Sequence, residues 1–199
     1  MPLRWSSKLG FVIAGVLSTH AAHSAEADWP CVQRRVVELS VAQMWAGPPV
    51  DTTANQWRDD PGIASLARTL ASRRTSLEKA SAAIEDFGNS AGPEKDEKLT
   101  LLFAGLFELI NAERRRIING IERYARKQKD LAREISETSR NLRQDTKPTP
   151  GRTALEQKLY WATRIYDERN RALTYVCESP VLLEQRAYAL AQEISRHLK

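Results

Sequence analysis

Three histidines, two cysteines and a few clustered carboxylates are the side chains of this 199-residue chain that could carry chemistry. His20 and His23 stand just beyond the apolar run Leu9 to Leu17 (LGFVIAGVL), so the rest of the chain keeps one imidazole, His197, beside the C-terminus. A Ser/His/Asp or Cys/His system then lacks a well-placed base, and zinc, copper and haem sites lack their usual imidazoles. Asp59 with Asp60, and Glu94 with Asp96 and Glu97, could in principle act as general acid and base or as oxygen ligands of a cation. Both sets stand at the start of helical patterns, where carboxylates cap backbone N–H groups and favour the helix dipole, and that is the role expected of them. No CxxCH, glycine-rich phosphate loop, HExxH, EF-hand loop or Glu-x-x-His pair occurs. The expectation is a protein that is not an enzyme and takes no metal or cofactor.

The cysteines point elsewhere. Arg4 and Lys8 followed by nine apolar residues form a segment too short to span a bilayer, which takes about 20. With Ala25-Glu26-Ala27 behind it, the segment reads as a signal peptide over 1–27 cleaved after Ala27, with Ala25 as the competing site. Asp28-Trp29-Pro30 before Cys31 does not make a lipoprotein site. The expected location is therefore the periplasm or the exterior, where a bridge between Cys31 and Cys177 is the default. Two free thiols or an interchain bond are the alternatives. The exported part, 172 residues, suits a single domain over 28–199.

The elements that must position these residues are almost wholly helical. Asp60-Pro61 resembles an N-cap followed by proline at the first helical position. From there Ile63, Leu70, Leu77 and Ile84 recur every seven residues, predicting helix 1 over 60–87, with Arg73 on its seam as a snorkelling edge residue. Helix 2 is predicted over 93–144 from Phe103, Ile110, Ile117, Tyr124, Leu131 and Thr138. At 1.5 Å per residue some 50 residues reach about 75 Å, longer than a compact domain is wide. Thr153-x-x-Glu156 reads as a capping box opening helix 3 over 152–177, and Ser179-Pro180 as the restart that gives helix 4 over 180–198.

Folded on paper about Pro148, Cys177 comes opposite Asn119, beside Gly120. Helix 1, the first half of helix 2 and helix 4 then make a short bundle, and the remainder projects as an arm. The fold class expected is all-α, an elongated helical bundle with an antiparallel coiled-coil hairpin and a disulfide-tethered N-terminal strap over 28–58. Trp29, Trp45 and Trp57 are the candidate strap anchors, filling grooves the helices leave, and an exposed recognition strip is the competing reading. Gly120 is read either as a close approach of another backbone or as an ordinary helix-weakening residue.

Charge is uneven along this plan. Residues 114–152 hold twelve basic and five acidic side chains, whereas 28–113 hold nine basic and thirteen acidic. The arm is basic, and Arg123, Arg126, Lys127 and Lys129 are its candidate docking face, against the alternative of a merely solvated surface. Nucleic acid is not an expected partner, since the arm has few aromatics for stacking. A protein is, with an anionic membrane surface or a second copy of the chain as further options.

Trp29-Pro30-Cys31-Val32-Gln33-Arg34-Arg35 and Ala42-Gln43-Met44-Trp45-Ala46-Gly47-Pro48 together resemble the mature start of exported proteobacterial proteins of unknown function. The resemblance implies secretion and carries no functional residue across. Two functions follow from the residues as a whole. One is a non-enzymatic protein that binds or scaffolds a protein partner through its coiled-coil arm; the other is a periplasmic helical chaperone or stress protein holding clients in apolar grooves.

Overall fold

The computed structural model describes residues 29–51, 55–144 and 146–198, so the expected leader and its cleavage site lie outside the described residues. All regular structure among them is helical. The strap contains one turn of helix, α1 (Val41–Met44), and a 3-10 turn at Gln56–Arg58. Asp60 then caps α2 (Pro61–Ala71), its carboxylate accepting from the N–H of Gly62 at 2.7 Å and of Ile63 at 3.0 Å.

The helix expected over 60–87 is two helices. α2 stops at Ala71, and α3 (Leu77–Ser90) starts afresh with Ser76 as its cap. Between them, the Ser72 hydroxyl accepts from the N–H of Arg74 at 3.3 Å and the Thr75 hydroxyl donates to the Thr69 carbonyl at 2.8 Å. Such local side-chain bonds compete with helix continuation, and the run Ser72 to Ser76 supplies three hydroxyls. Leu77, expected on the seam, is instead exposed at the start of α3, and Arg73 lies in the turn.

A 3-10 turn at Gly92–Glu94 leads into α4 (Lys95–Gln144), two residues later than expected. Helices 3 and 4 of the sequence reading are one helix, α5 (Pro150–Arg196), with Pro180 inside it. Its cap is Thr149, accepting from the N–H of Arg152 at 3.2 Å, not Thr153; Glu156 lies within the helix and pairs with Arg152 at 3.0 Å. α4 and α5 pack antiparallel along their length. Arg152 Nη1 donates to the Leu142 carbonyl at 2.8 Å, Gln128 Nε2 to the Tyr166 carbonyl at 3.2 Å, and the Tyr124 hydroxyl to the Arg169 carbonyl at 2.7 Å. These pairs put Cys177 within about one turn of Asn119.

The core lies at one end, where α2, α3, the first half of α4 and the end of α5 converge. Leu70, Ile84, Leu99, Phe103, Ile110, Leu190 and Ile194 are buried there, each stabilising the fold by about 1.5–3 kcal/mol. Beyond it the hairpin buries little: Arg114, Cys177 and Pro180 at its base, then Ile118, Ile121, Ala125, Thr138 and Ala162. Among the described residues no helix is long and apolar enough to cross a membrane.

Candidate functional site

The strap reaches the hairpin at the junction of bundle and arm. Cys31 and Cys177 are joined by a disulfide with Cα atoms 5.6 Å apart, the intramolecular bridge expected and one consistent with an oxidising compartment. Trp45 is buried and stacks on Phe103, ring centroids 4.1 Å apart, while its indole N–H donates to the Pro48 carbonyl at 2.7 Å. Trp57 is buried too. Its N–H donates to Glu108 Oε2 at 2.8 Å, and Arg58, paired with the same carboxylate, stands over its ring at 4.7 Å. Trp29 is only half-buried, donating to the Gln33 carbonyl at 2.6 Å beside a surface groove lined by Tyr124, Gln128, Tyr166 and Leu173. Two of the three indoles therefore anchor the strap in the core, and the third borders an open groove.

Glycine marks both buried indoles, at Gly47 against the Trp45 ring and, for Trp57, at Gly105. A Cβ there would lie 2.7 Å from the Trp57 ring, so the indole requires a bare backbone. Gly120 has no such neighbour: a Cβ would meet only Arg123, at 3.9 Å, which overturns the close approach and leaves the ordinary reading.

The strongest polar feature is one the sequence reading counted only as arm charge. Arg114 is 3% exposed and donates in three directions: Nη1 to the Val36 carbonyl of the strap at 2.6 Å, Nε to the Pro180 carbonyl at 3.2 Å, and Nη2 to Glu184 at 3.2 Å. Burial draws its pKa down while Glu184 opposes the shift. One guanidinium thus ties α4, the strap and the proline-bearing turn of α5 together. The signal for it was positional. Phe107, Ile110, Arg114, Ile118, Ile121 and Ala125 follow one another at spacings of three and four, so Arg114 occupies a seam position where an apolar residue belongs. Around it the strap is fixed by Leu39 N–H to Asn111 at 3.1 Å, Glu38 to Arg115 at 2.9 Å, and Arg35 to Glu122.

The candidate docking residues do not form one face. Arg123, Arg126 and Lys127 are exposed a helical turn apart, whereas Lys129 is exposed on the strap side, bordering the groove at Trp29. Along α5, Trp161 (55% exposed), Ile165 (41%), Tyr175 (75%) and Leu182 (51%) stand in solvent, and Arg164 lies 5.7 Å from the Trp161 ring. This exposed row escaped the sequence reading, which followed the stripe facing α4.

The residues considered for chemistry are dispersed. Asp60 is a cap, Glu94 pairs with Lys98 at 2.9 Å, and Asp96 and Glu97 border a groove of about 350 Å³ beside Pro48 and Pro49. His197 caps α5 with Nε2 3.5 Å from Glu193. Glu193 is itself held below the usual carboxylate range, first by a hydrogen bond from Ser81. Ser81 and His197 therefore both address the Glu193 carboxylate. Among the described residues no three of His, Cys, Asp and Glu converge as metal ligands would. No protein-family model, no curated protein and no solved structure matches the chain.

Proposed function

We propose that this is an exported, non-enzymatic helical protein of the periplasm or exterior that binds or scaffolds a protein partner through its α4–α5 arm. The observation that carries the reading is the mismatch between how firmly the arm is rooted and how little it buries. A disulfide, a buried arginine and two core tryptophans fix its base, yet beyond the base it presents large apolar side chains and a basic surface to solvent. Large exposed apolar groups on a well-fixed element are what interaction surfaces present.

The test is affinity capture from the compartment of export with the wild-type chain and with Arg123, Arg126, Lys127 and Lys129 changed to glutamine. A single stoichiometric partner, lost from the variant and weakened by salt, supports the reading; equal capture at low salt refutes its electrostatic part. The chaperone alternative has a place of its own, the groove of about 380 Å³ beside Trp29, where Gln128 Oε1 is buried without a partner. Many weak clients, retained by the variant, would favour it.

A further inference from the structure

α5 carries two seams. One, through Leu159, Tyr166, Leu173, Pro180, Ala187 and Ile194, packs along α4. The other runs through Lys158, Ile165, Ala172, Ser179, Arg186 and Glu193, with Trp161, Glu168, Tyr175 and Leu182 beside it at matching seven-residue spacing, Glu168 being paired with Arg164 at 3.0 Å. In the bundle this second seam is covered. Arg186 Nε donates to the Leu70 carbonyl of α2 at 2.8 Å, and Glu193 is hydrogen-bonded by Ser81 of α3. The α2–α3 turn ends the cover, Ala71 to Arg74 lying beside Leu183 of α5 and Glu113 of α4. Above that level the seam and the row beside it are bare, as the exposure of Tyr175, Ala172, Ile165 and Trp161 records.

α4 supplies the other wall. Glu113, Gly120, Lys127 and Glu134 follow one another every seven residues, so they share one side of the helix. Glu113 stands at the α2–α3 turn, and Glu134 pairs with Lys158 of α5 at 2.7 Å, which closes the groove toward the tip. The strap grips a different side, through Asn111, Arg115 and Glu122. Between the two ends the floor includes Gly120, where a Cβ would touch only the Arg123 guanidinium at 3.9 Å, and Ala172. The 21-residue separation of Glu113 and Glu134 spans about 30 Å, or three heptads of helix. The α4 rim is basic at Arg123 and Lys127, both exposed.

We propose that this groove, on the side of the arm away from the strap, takes an amphipathic helix of about three heptads from a protein partner, with apolar residues against Ile165 and Tyr175 and acidic residues against the α4 rim. The occupant extends over the arm the cover that α2 and α3 provide in the bundle. A second copy of the arm is the poorer fit, because it would set one basic rim against another. The proposal rests on the arm-binding reading above and adds to it the groove, the helical form and the charge of the partner.

The probe is a fluorescein-labelled synthetic helix of three heptads with leucine on its seam and glutamate on its flanks, compared with the same helix carrying lysine flanks. Each is titrated into the disulfide-intact protein and followed by anisotropy. The glutamate helix should bind about tenfold or more tighter than the lysine helix, and binding should fall by about tenfold or more in the Ile165→Glu, Tyr175→Glu double variant, both positions being exposed and tolerant of charge. Circular dichroism of the variant confirms that helix content is kept. Absence of saturable binding, indifference to flank charge, or binding unchanged in the double variant overturns the proposal. So does a wild-type dimer in sedimentation that the double variant disperses, since the groove then belongs to a second copy. If affinity capture depends on the four basic residues but not on Ile165 and Tyr175, the arm reading stands and the groove falls.

Discussion

Replacing Arg114 with methionine tests the account of the junction most directly, because the change keeps the length of the side chain and removes its fork. The guanidinium serves the Val36 carbonyl at 2.6 Å, the Pro180 carbonyl at 3.2 Å and Glu184 at 3.2 Å. A hydrogen bond involving a charged group contributes about 1.5–3 kcal/mol. The Glu184 pair is discounted heavily, since that side chain is 47% exposed and water screens it. The two carbonyl bonds then give about 3–6 kcal/mol gross. Methionine packing in an otherwise apolar seam returns about 1–2 kcal/mol, and a buried charge no longer has to be desolvated. The expected net loss is about 2–4 kcal/mol, read as a fall in the urea midpoint at constant slope with the disulfide intact. Lysine should recover little of it, because an ammonium on a single stem lacks the planar fork that spans three acceptors, one on the strap and two on α5. A methionine variant within about 0.5 kcal/mol of wild type would show that the strap and α5 are held without Arg114, and would remove the clasp from the account.

Other perturbations separate the remaining contacts. Gly105→Ala should destabilise by about 1–3 kcal/mol despite its better helix propensity, since the new Cβ meets Trp57 at 2.7 Å, whereas Gly120→Ala should be neutral or stabilising by up to about 1 kcal/mol; thermal melts of the pair decide both. Cys31→Ser with Cys177→Ser should cost up to about 4–5 kcal/mol in the chain-entropy model for a separation of 146 residues, and limited proteolysis should then cut first in the strap. The folded pKa of Glu193 lies below its unfolded value because Ser81 hydrogen-bonds the carboxylate, so its contribution is complete above the unfolded value, near 4.3, and is lost as pH falls through the lower folded one. Glu193→Gln should accordingly flatten the acid limb of a stability-against-pH curve in that window and lower the plateau above it, and an unchanged acid limb would remove the Ser81 bond from the explanation.

What could be read from the residues divides along physical lines. Long-period apolar spacing is a property of many residues at once, so the long helix α4, its antiparallel pairing with the helix that follows it and the level at which Cys177 meets α4 were legible. Breaks and joins depend on a few local bonds and were not. Ile63, Leu70, Leu77 and Ile84 keep their spacing across a turn in which serine and threonine hydroxyls end one helix and cap the next. Pro180 gave the opposite error. A proline costs a helix about 3 kcal/mol in isolation, but here the helix is packed along α4 on both sides of it. Arg114 itself is legible only to a reader who asks why a charged residue falls on an apolar seam.

The exposed row on α5 shows why a candidate surface is harder to find than a fold. A helix with one partner needs one stripe, and once Leu159, Tyr166 and Leu173 satisfy that need, Trp161 and Tyr175 look like surface residues of no consequence. Their meaning comes from the bundle, where α2 and α3 cover the continuation of the same seam through Leu70 and Ser81. The cover stops at the turn between Ala71 and Arg74, and that turn exists because Ser72, Thr75 and Ser76 interrupt an apolar repeat. The same five residues that hid the break in the helix therefore set where the groove begins. Extending α2 through them, by changing Ser72, Thr75 and Ser76 to alanine, would lengthen the cover along the arm at the expense of the open seam, and the surface proposed for partner binding would shrink as the bundle grew.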